Sequence, residues 1–298
     1  MTERSSFGPL VSTDWLAAQS SAPGLVVLDA TIIKEALGEL QFVRRPASRE
    51  FETEGHIPGA RFADLVNEFS DPQGAFPFTR PTSQQIANAA AAHGITRDSR
   101  VVVYDALDGI WAARVWWVLR AFGHEQVAVL DGGLKKWRAE NRALEYGAQR
   151  SATATAHAPF EPRPDPDAFV DKAYVASMLT GDESGVLCNA LRRSVFSGAE
   201  QAYPRAGRIP SSRNVPFEEL VDSVTNALLP VDVLRERLAD SMESGGRIVS
   251  YCGGGITAAG LALALAVCGY DNVTIYDGSL NEWTVDPDLP MIVDADLQ

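Results

Sequence analysis

A chain of 298 residues, 46% of them hydrophobic, has enough apolar material for two domain cores, and its formal net charge of −13 disfavours nucleic acid and anionic membranes as partners. No apolar run reaches the roughly 20 residues that span a bilayer, and the N-terminal Met1–Phe7 lacks the apolar core of a secretory signal. The three cysteines, Cys188, Cys252 and Cys268, are too scattered for a disulfide framework, so a reducing cytoplasm is the expected setting.

Short β-branched runs alternate with apolar helical stretches along the chain. In the first half, strands are predicted over Leu25–Leu28, Val101–Tyr104 and Val127–Leu130, with helices over Gln84–Ala92, Ala112–Phe122 and Lys135–Glu140. A Pro/Ala/Thr-rich stretch follows, containing Ala158-Pro159-Phe160-Glu161-Pro162-Arg163-Pro164, and reads as an extended linker over 149–167. The second half predicts strands over Val186–Cys188, Ile248–Tyr251 and Val273–Tyr276, and helices over Val231–Leu238 and Thr257–Val267. Strands alternating with helices imply βαβ units, hence an α/β fold with parallel sheets carrying helices on both faces. The expected domains are 1–148 and 168–298.

The two halves repeat one another. Val101-Val102-Val103-Tyr104-Asp105 matches Ile248-Val249-Ser250-Tyr251-Cys252, and Gly123 matches Gly269. Asp131-Gly132-Gly133-Leu134 with Trp137 matches Asp277-Gly278-Ser279-Leu280 with Trp283. Upstream, Gly55-His56-Ile57-Pro58 matches Gly207-Arg208-Ile209-Pro210. Four motifs in one order at nearly one offset indicate a duplication.

At one position the copies differ in chemistry: Asp105 stands where the second half has Cys252. Gly253, Gly254 and Gly255 follow that cysteine, and an Ala-rich helix begins at Ile256-Thr257. Glycines let several backbone N–H groups aim at one point, and the helix N-terminus adds positive potential. The cradle is expected to favour a thiolate, and to be too tight for more than a sulfur carrying one extra atom. In parallel sheets ligands collect beyond the carboxyl ends of strands, which is where Cys252 falls. A buried core cysteine beside an ordinary turn is the bland alternative; three successive glycines serve no packing purpose. Cys188 and Cys268 read as small core residues.

Duplicated α/β halves, a cysteine in the second only, and Cys252-Gly253-Gly254-Gly255-Ile256-Thr257-Ala258 together resemble the tandem rhodanese-type sulfurtransferases, over essentially the whole chain. Gly55-His56-Ile57-Pro58-Gly59-Ala60 and Asp131-Gly132-Gly133 with Trp137 are also typical of that family. The resemblance implies two tandem rhodanese-like domains, the first catalytically silent and walling one side of a cleft. It implies double displacement: Cys252 takes a sulfane sulfur from a small donor, becomes a persulfide, and passes the sulfur to cyanide or a thiol. The backbone N–H groups of Gly253 to Thr257 would cradle the persulfide. An alternative is a persulfide carrier or regulatory binding module with little turnover of free donors. A phosphatase-like or arsenate-reducing relative would need a longer loop with an arginine, which Gly253–Thr257 lacks.

The donor is left open by the same comparison. Members acting on thiosulfate carry basic residues where this chain has Gly253 and Gly254. Members acting on 3-mercaptopyruvate read Cys-Gly-Ser/Thr-Gly-Val-Thr, which is closer, but Gly254 lacks the hydroxyl. The arginine of the Arg-Phe-x-Gly stretch is replaced by Val195. A carboxylate donor needs a cation, and Arg205 is the first candidate. Arg208, standing for a histidine, is the second; Arg192 and Arg193 lie just upstream. His56 is a candidate cleft-lining residue, with a structural turn role as its alternative. No metal site is apparent, since His56, His93, His124 and His157 are dispersed, and no lysine follows the Gly-rich turn to suit a nucleotide. No cofactor is expected.

Overall fold

A computed structural model describes residues 7–36, 42–149, 158–243 and 245–294. The chain forms two compact units. The first comprises Met1–Gln73, Arg80–Asp165 and Val224–Ala227; the second comprises Gly74–Thr79, Pro166–Ser223 and Leu228–Gln298. The division between Asp165 and Pro166 falls inside the stretch expected to be a linker, of which residues 150–157, His157 included, lie outside the described residues. The excursions of 74–79 and 224–227 carry no compositional signal.

In the first unit, strand β1 (Leu10–Val11) leads into helix α1 (Thr13–Gln19), whose N-terminus is capped by the Ser12 side chain. β2 (Leu25–Asp29) follows, then an antiparallel hairpin of β3 (Ile32–Ala36) and β4 (Phe42–Pro46), α2 (Ser48–Glu54) and β5 (Arg61–Phe62). α3 (Ser83–Ala92) starts on a capping box between Thr82 and Gln85. β6 (Arg100–Tyr104), α4 (Ile110–Ala121), β7 (Val127–Leu130) and α5 (Gly133–Ala139) complete the unit. Its five-stranded sheet is parallel throughout, in the order β1-β7-β6-β2-β5.

The second unit repeats this plan. It runs through β8 (Phe169–Val170), α6 (Lys172–Thr180), β9 (Val186–Asn189), α7 (Arg193–Ser197), β10 (Arg213–Asn214), a single 3₁₀ turn at Phe217–Glu219, α8 (Val231–Met242), β11 (Ile248–Tyr251), α9 (Ile256–Val267), β12 (Val273–Tyr276) and α10 (Ser279–Trp283). Its parallel sheet has the order β10-β9-β11-β12-β8, so each strand has a counterpart at the same place in the first sheet. Among the described residues no helix is long and apolar enough to cross a membrane.

Every strand and helix expected from the sequence is present, with ends shifted by at most a few residues. Not anticipated were the two-residue strands β1, β5, β8 and β10, too short for periodicity, and also the β3–β4 hairpin and the helices α1, α2, α6, α7 and α10. The central strands β6 and β11 are buried on both faces, which explains their continuous β-branched composition. Trp137 and Trp283 anchor the two cores, each donating its indole N–H to a carbonyl further along, Ala143 at 2.8 Å and Pro290 at 3.0 Å.

The Gly-x-Ile-Pro repeat now has a physical reading. The hydroxyls of Tyr104 and Tyr251, each at the end of a central strand, accept the backbone N–H of Ile57 (3.2 Å) and of Ile209 (3.3 Å). The preceding residues, His56 and Arg208, form antiparallel bridges with Glu145 and Ile292. Each motif thus ties its unit's central strand to the segment that closes the unit.

Candidate active site

Cys252 follows β11 directly and is 1% exposed. Its N–H donates to Ser279 Oγ (3.1 Å), and its carbonyl accepts the N–H of Leu280 (3.1 Å). The carbonyl of Gly253 accepts the N–H of Asn281 (2.8 Å). The cysteine loop is therefore strapped to the start of α10 by two main-chain bonds and one to the Ser279 side chain. Gly255, at φ +75°, turns the chain into α9 from the left-handed region, where a side chain would be strained. Further along, Gly260 leaves room for Phe217: a Cβ there would lie 2.7 Å from the ring. That close approach seats the 3₁₀ turn on the helix behind the loop.

The first unit shows what such a loop does to an anion. Asp105, at the position equivalent to Cys252, accepts four backbone N–H groups. Leu107 (2.9 Å) and Gly109 (3.0 Å) bond Oδ1, while Trp111 (3.1 Å) and Ala112 (3.0 Å) bond Oδ2. Burial pushes the Asp105 carboxyl up from its ordinary value, and these four bonds pull against that rise. Gly109 and Gly255 are the equivalent left-handed turns, so the cysteine loop is one residue shorter than the aspartate loop. Among the described residues, the N–H groups of Gly253, Gly254 and Thr257 meet no protein acceptor.

The arginines expected to grip a donor are placed otherwise. Arg205 donates four hydrogen bonds to main-chain carbonyls, from Nε to Thr284 (3.0 Å), from Nη1 to Leu289 (2.6 Å), and from Nη2 to Trp283 (3.0 Å) and Asp286 (2.7 Å). With four of five donors spent on the segment after α10 it ties that segment down, where the sequence alone made it the first candidate to clamp a donor carboxylate. Arg208 pairs with Asp294 (2.7 Å), bonds the Phe196 carbonyl (3.2 Å) and lies over the Phe196 ring. It too serves the closure of its unit. Arg192 and Arg193 sit on the surface, paired with Glu200 and Glu219. Val195 is buried at 3% exposure, so the arginine missing from that position has been replaced by a core residue.

His56 is engaged within its own unit. It is 1% exposed, its ring stacks on Phe51 with centroids 3.6 Å apart, and Nδ1 lies 2.9 Å from the Phe51 carbonyl. An imidazole so enclosed packs the first unit, the structural role named as its alternative. Cys188 and Cys268 are buried as expected: burial raises both thiols, that of Cys188 to about 11, and Cys188 lies 3.4 Å from Ser241 Oγ. Among the described residues no cluster of three or more His, Cys, Asp or Glu side chains could hold a metal.

Three residues of the site escaped the sequence reading. Ser279 holds φ +48° while its Oγ takes the Cys252 N–H and donates to the Tyr276 carbonyl (2.7 Å). Its counterpart is Gly133, where a Cβ would lie 2.4 Å from the Asp105 carbonyl oxygen. The Gly-to-Ser difference inside the repeat was the available signal. The other two, Tyr203 and Asn281, stand against Gly253 and Gly254.

Comparison with known proteins places these features in a family. The model of the rhodanese-like domain matches residues 12–140 and 197–286. The chain is similar to the thiosulfate/3-mercaptopyruvate sulfurtransferase 1, mitochondrial, of Arabidopsis thaliana, with 35% identity over 95% of this chain and 78% of that protein. It is similar to the 3-mercaptopyruvate sulfurtransferase of Homo sapiens, with 35% identity over 92% of this chain and 91% of that one. Among solved structures it resembles SseA from Escherichia coli, described with the "Rhodanese" fold of 3-mercaptopyruvate sulfotransferases. The TM-score is 0.76 at 31% identity, covering 91% of this chain and 98% of that one.

Proposed function

This chain belongs to the rhodanese-like family and is an enzyme of the sulfurtransferase type, and from that premise we propose that Cys252 carries a sulfane sulfur from 3-mercaptopyruvate to a thiol or cyanide. The observation that carries the reading is the pairing of Cys252 with Asp105 at one position of the repeat. Where the first unit surrounds a fixed carboxylate with four N–H donors, the second offers a shorter loop to a sulfur that can acquire and lose an atom.

The sulfur of Cys252, as thiolate, attacks the thiol sulfur of the donor. An S–S bond forms and the C–S bond of 3-mercaptopyruvate breaks, its electron pair passing to carbon. The resulting enolate takes up the proton of the transferred S–H and leaves as pyruvate. The enzyme is left as the persulfide anion, which the loop N–H groups and the N-terminus of α9 stabilise. A second nucleophile then takes the outer sulfur: cyanide leaves as thiocyanate, or a thiol as its persulfide, and the Cys252 thiolate is restored. Asp105 lacks a sulfur, so the first unit has no part in this exchange.

The absence of charge in Gly253-Gly254-Gly255 supports 3-mercaptopyruvate over thiosulfate, because a dianionic donor would enter a buried site with no cation on the loop. A cytoplasmic setting fits the thiol chemistry. Steady-state turnover with each donor, read as thiocyanate formed from cyanide, tests the reading. Efficient turnover with 3-mercaptopyruvate supports it; persulfide formation without turnover would make the chain a carrier.

A further inference from the structure

The two glycines that follow Cys252 are filled from outside the loop. A Cβ on Gly253 would lie 1.9 Å from the hydroxyl oxygen of Tyr203, and one on Gly254 would lie 2.8 Å from Nδ2 of Asn281. Both distances are shorter than an ordinary contact, so side chains from elsewhere in the unit stand where the loop's own would be. The chain has not lost polarity beside Gly254; it supplies a carboxamide from α10.

Asn281 is well held for such a task. Its own N–H bonds the Gly253 carbonyl at 2.8 Å, and its neighbour Leu280 bonds the Cys252 carbonyl. Its carboxamide, half-buried, forms no hydrogen bond among the described residues. Its backbone is held against the residue next to the nucleophile, and its carboxamide keeps donors open to a molecule that enters the loop.

We propose that Asn281 is a donor-specificity residue. Its Nδ2 hydrogen-bonds the carbonyl or carboxylate oxygen of an α-keto thiol as the C–S bond opens, in the place of a side chain at residue 254. The proposal rests on the reading of Cys252 as the persulfide carrier. A neutral amide can stabilise the charge that spreads onto a carbonyl oxygen, but it cannot balance the two charges of thiosulfate. The class selected is therefore a mercapto-carbonyl acid.

The test compares 3-mercaptopyruvate and thiosulfate as donors for the wild type, N281A, N281D, G254S and the double variant G254S/N281A, with thermal unfolding of each. N281A should lower kcat/KM for 3-mercaptopyruvate about 10-fold, the worth of one hydrogen bond to a group developing charge, and leave thiosulfate unchanged. N281D keeps the shape without the donor, so it should fall at least as far. G254S should also fall, because its new side chain collides with Asn281. The double variant restores a polar group in the vacated space and should recover most of the loss. Equal losses with both donors, no loss in N281D, or no recovery in the double variant would overturn the proposal. A wild type silent with both donors would fail the underlying reading, and the proposal with it.

Discussion

The N–H of Cys252 donates to the hydroxyl of Ser279 at 3.1 Å, and Ser279 adopts φ +48° to receive it. A non-glycine residue in the left-handed region costs roughly 1 kcal/mol or more, yet the equivalent residue in the first unit is Gly133, which has no such cost. The strain is retained where a backbone beside the nucleophile must be fixed.

Ser279→Ala keeps the strain and removes the bond. The buried N–H of Cys252 and the Tyr276 carbonyl then lose their partner, a loss of about 2 kcal/mol. Urea unfolding of the variant should show that decrease, with slower sulfur transfer because the loop is less well held. An unchanged stability would mean that the bond contributes nothing.

Arg205→Ala should act on stability and not on donor binding. Removing the guanidinium leaves the carbonyls of Trp283, Thr284, Asp286 and Leu289 without their donor, and a loss of about 3 kcal/mol is expected for charged hydrogen bonds in a half-buried site. The donor KM of the folded variant should match the wild type. A raised KM at unchanged melting temperature would return Arg205 to the substrate site.

Asp29 sets a pH dependence. Burial pushes its carboxyl from 3.8 to about 6, against bonds from the N–H and hydroxyl of Thr31 at 2.9 and 2.5 Å. Between pH 3.8 and about 6 the native protein holds a proton that the unfolded chain has released. The contribution of Asp29 to stability is thus fully present below that window and is lost as pH rises through it, by up to about 3 kcal/mol. Asp29→Asn can still accept from Thr31 through its carbonyl oxygen. Its melting temperature should exceed that of the wild type above pH 6, and the difference should close towards pH 4. A constant difference across this range would contradict the assignment.

The repeat was legible because both copies retain what the fold needs from them: a β-branched strand ending in Tyr104 or Tyr251, and Trp137 or Trp283 in the core. Cys252 stood out because it puts a nucleophile in place of Asp105 inside that shared frame, with three glycines directly after it. The partners of the arginines were not legible, because a guanidinium on a long stem can turn towards solvent, a substrate or a row of carbonyls, and the sequence around Arg205 does not say which. The surroundings of His56 were hidden for a related reason, since its ring is committed to Phe51, five residues away, by a turn that no periodicity reveals. Gly253 and Gly254 read as glycines with no packing purpose, whereas in the structure the room beside them is taken by other side chains. That Tyr203 and Asn281 take it depends on how α10 and the segment after α7 pack, which is a tertiary fact.

The most direct test of the account is the intact mass of the protein after brief exposure to 3-mercaptopyruvate, with Cys252→Ser treated alongside. The account predicts a gain of one sulfur on the wild type and none on the variant, whose unfolding should be unaltered. A gain on both proteins, or on neither, would contradict Cys252 as the sulfur carrier.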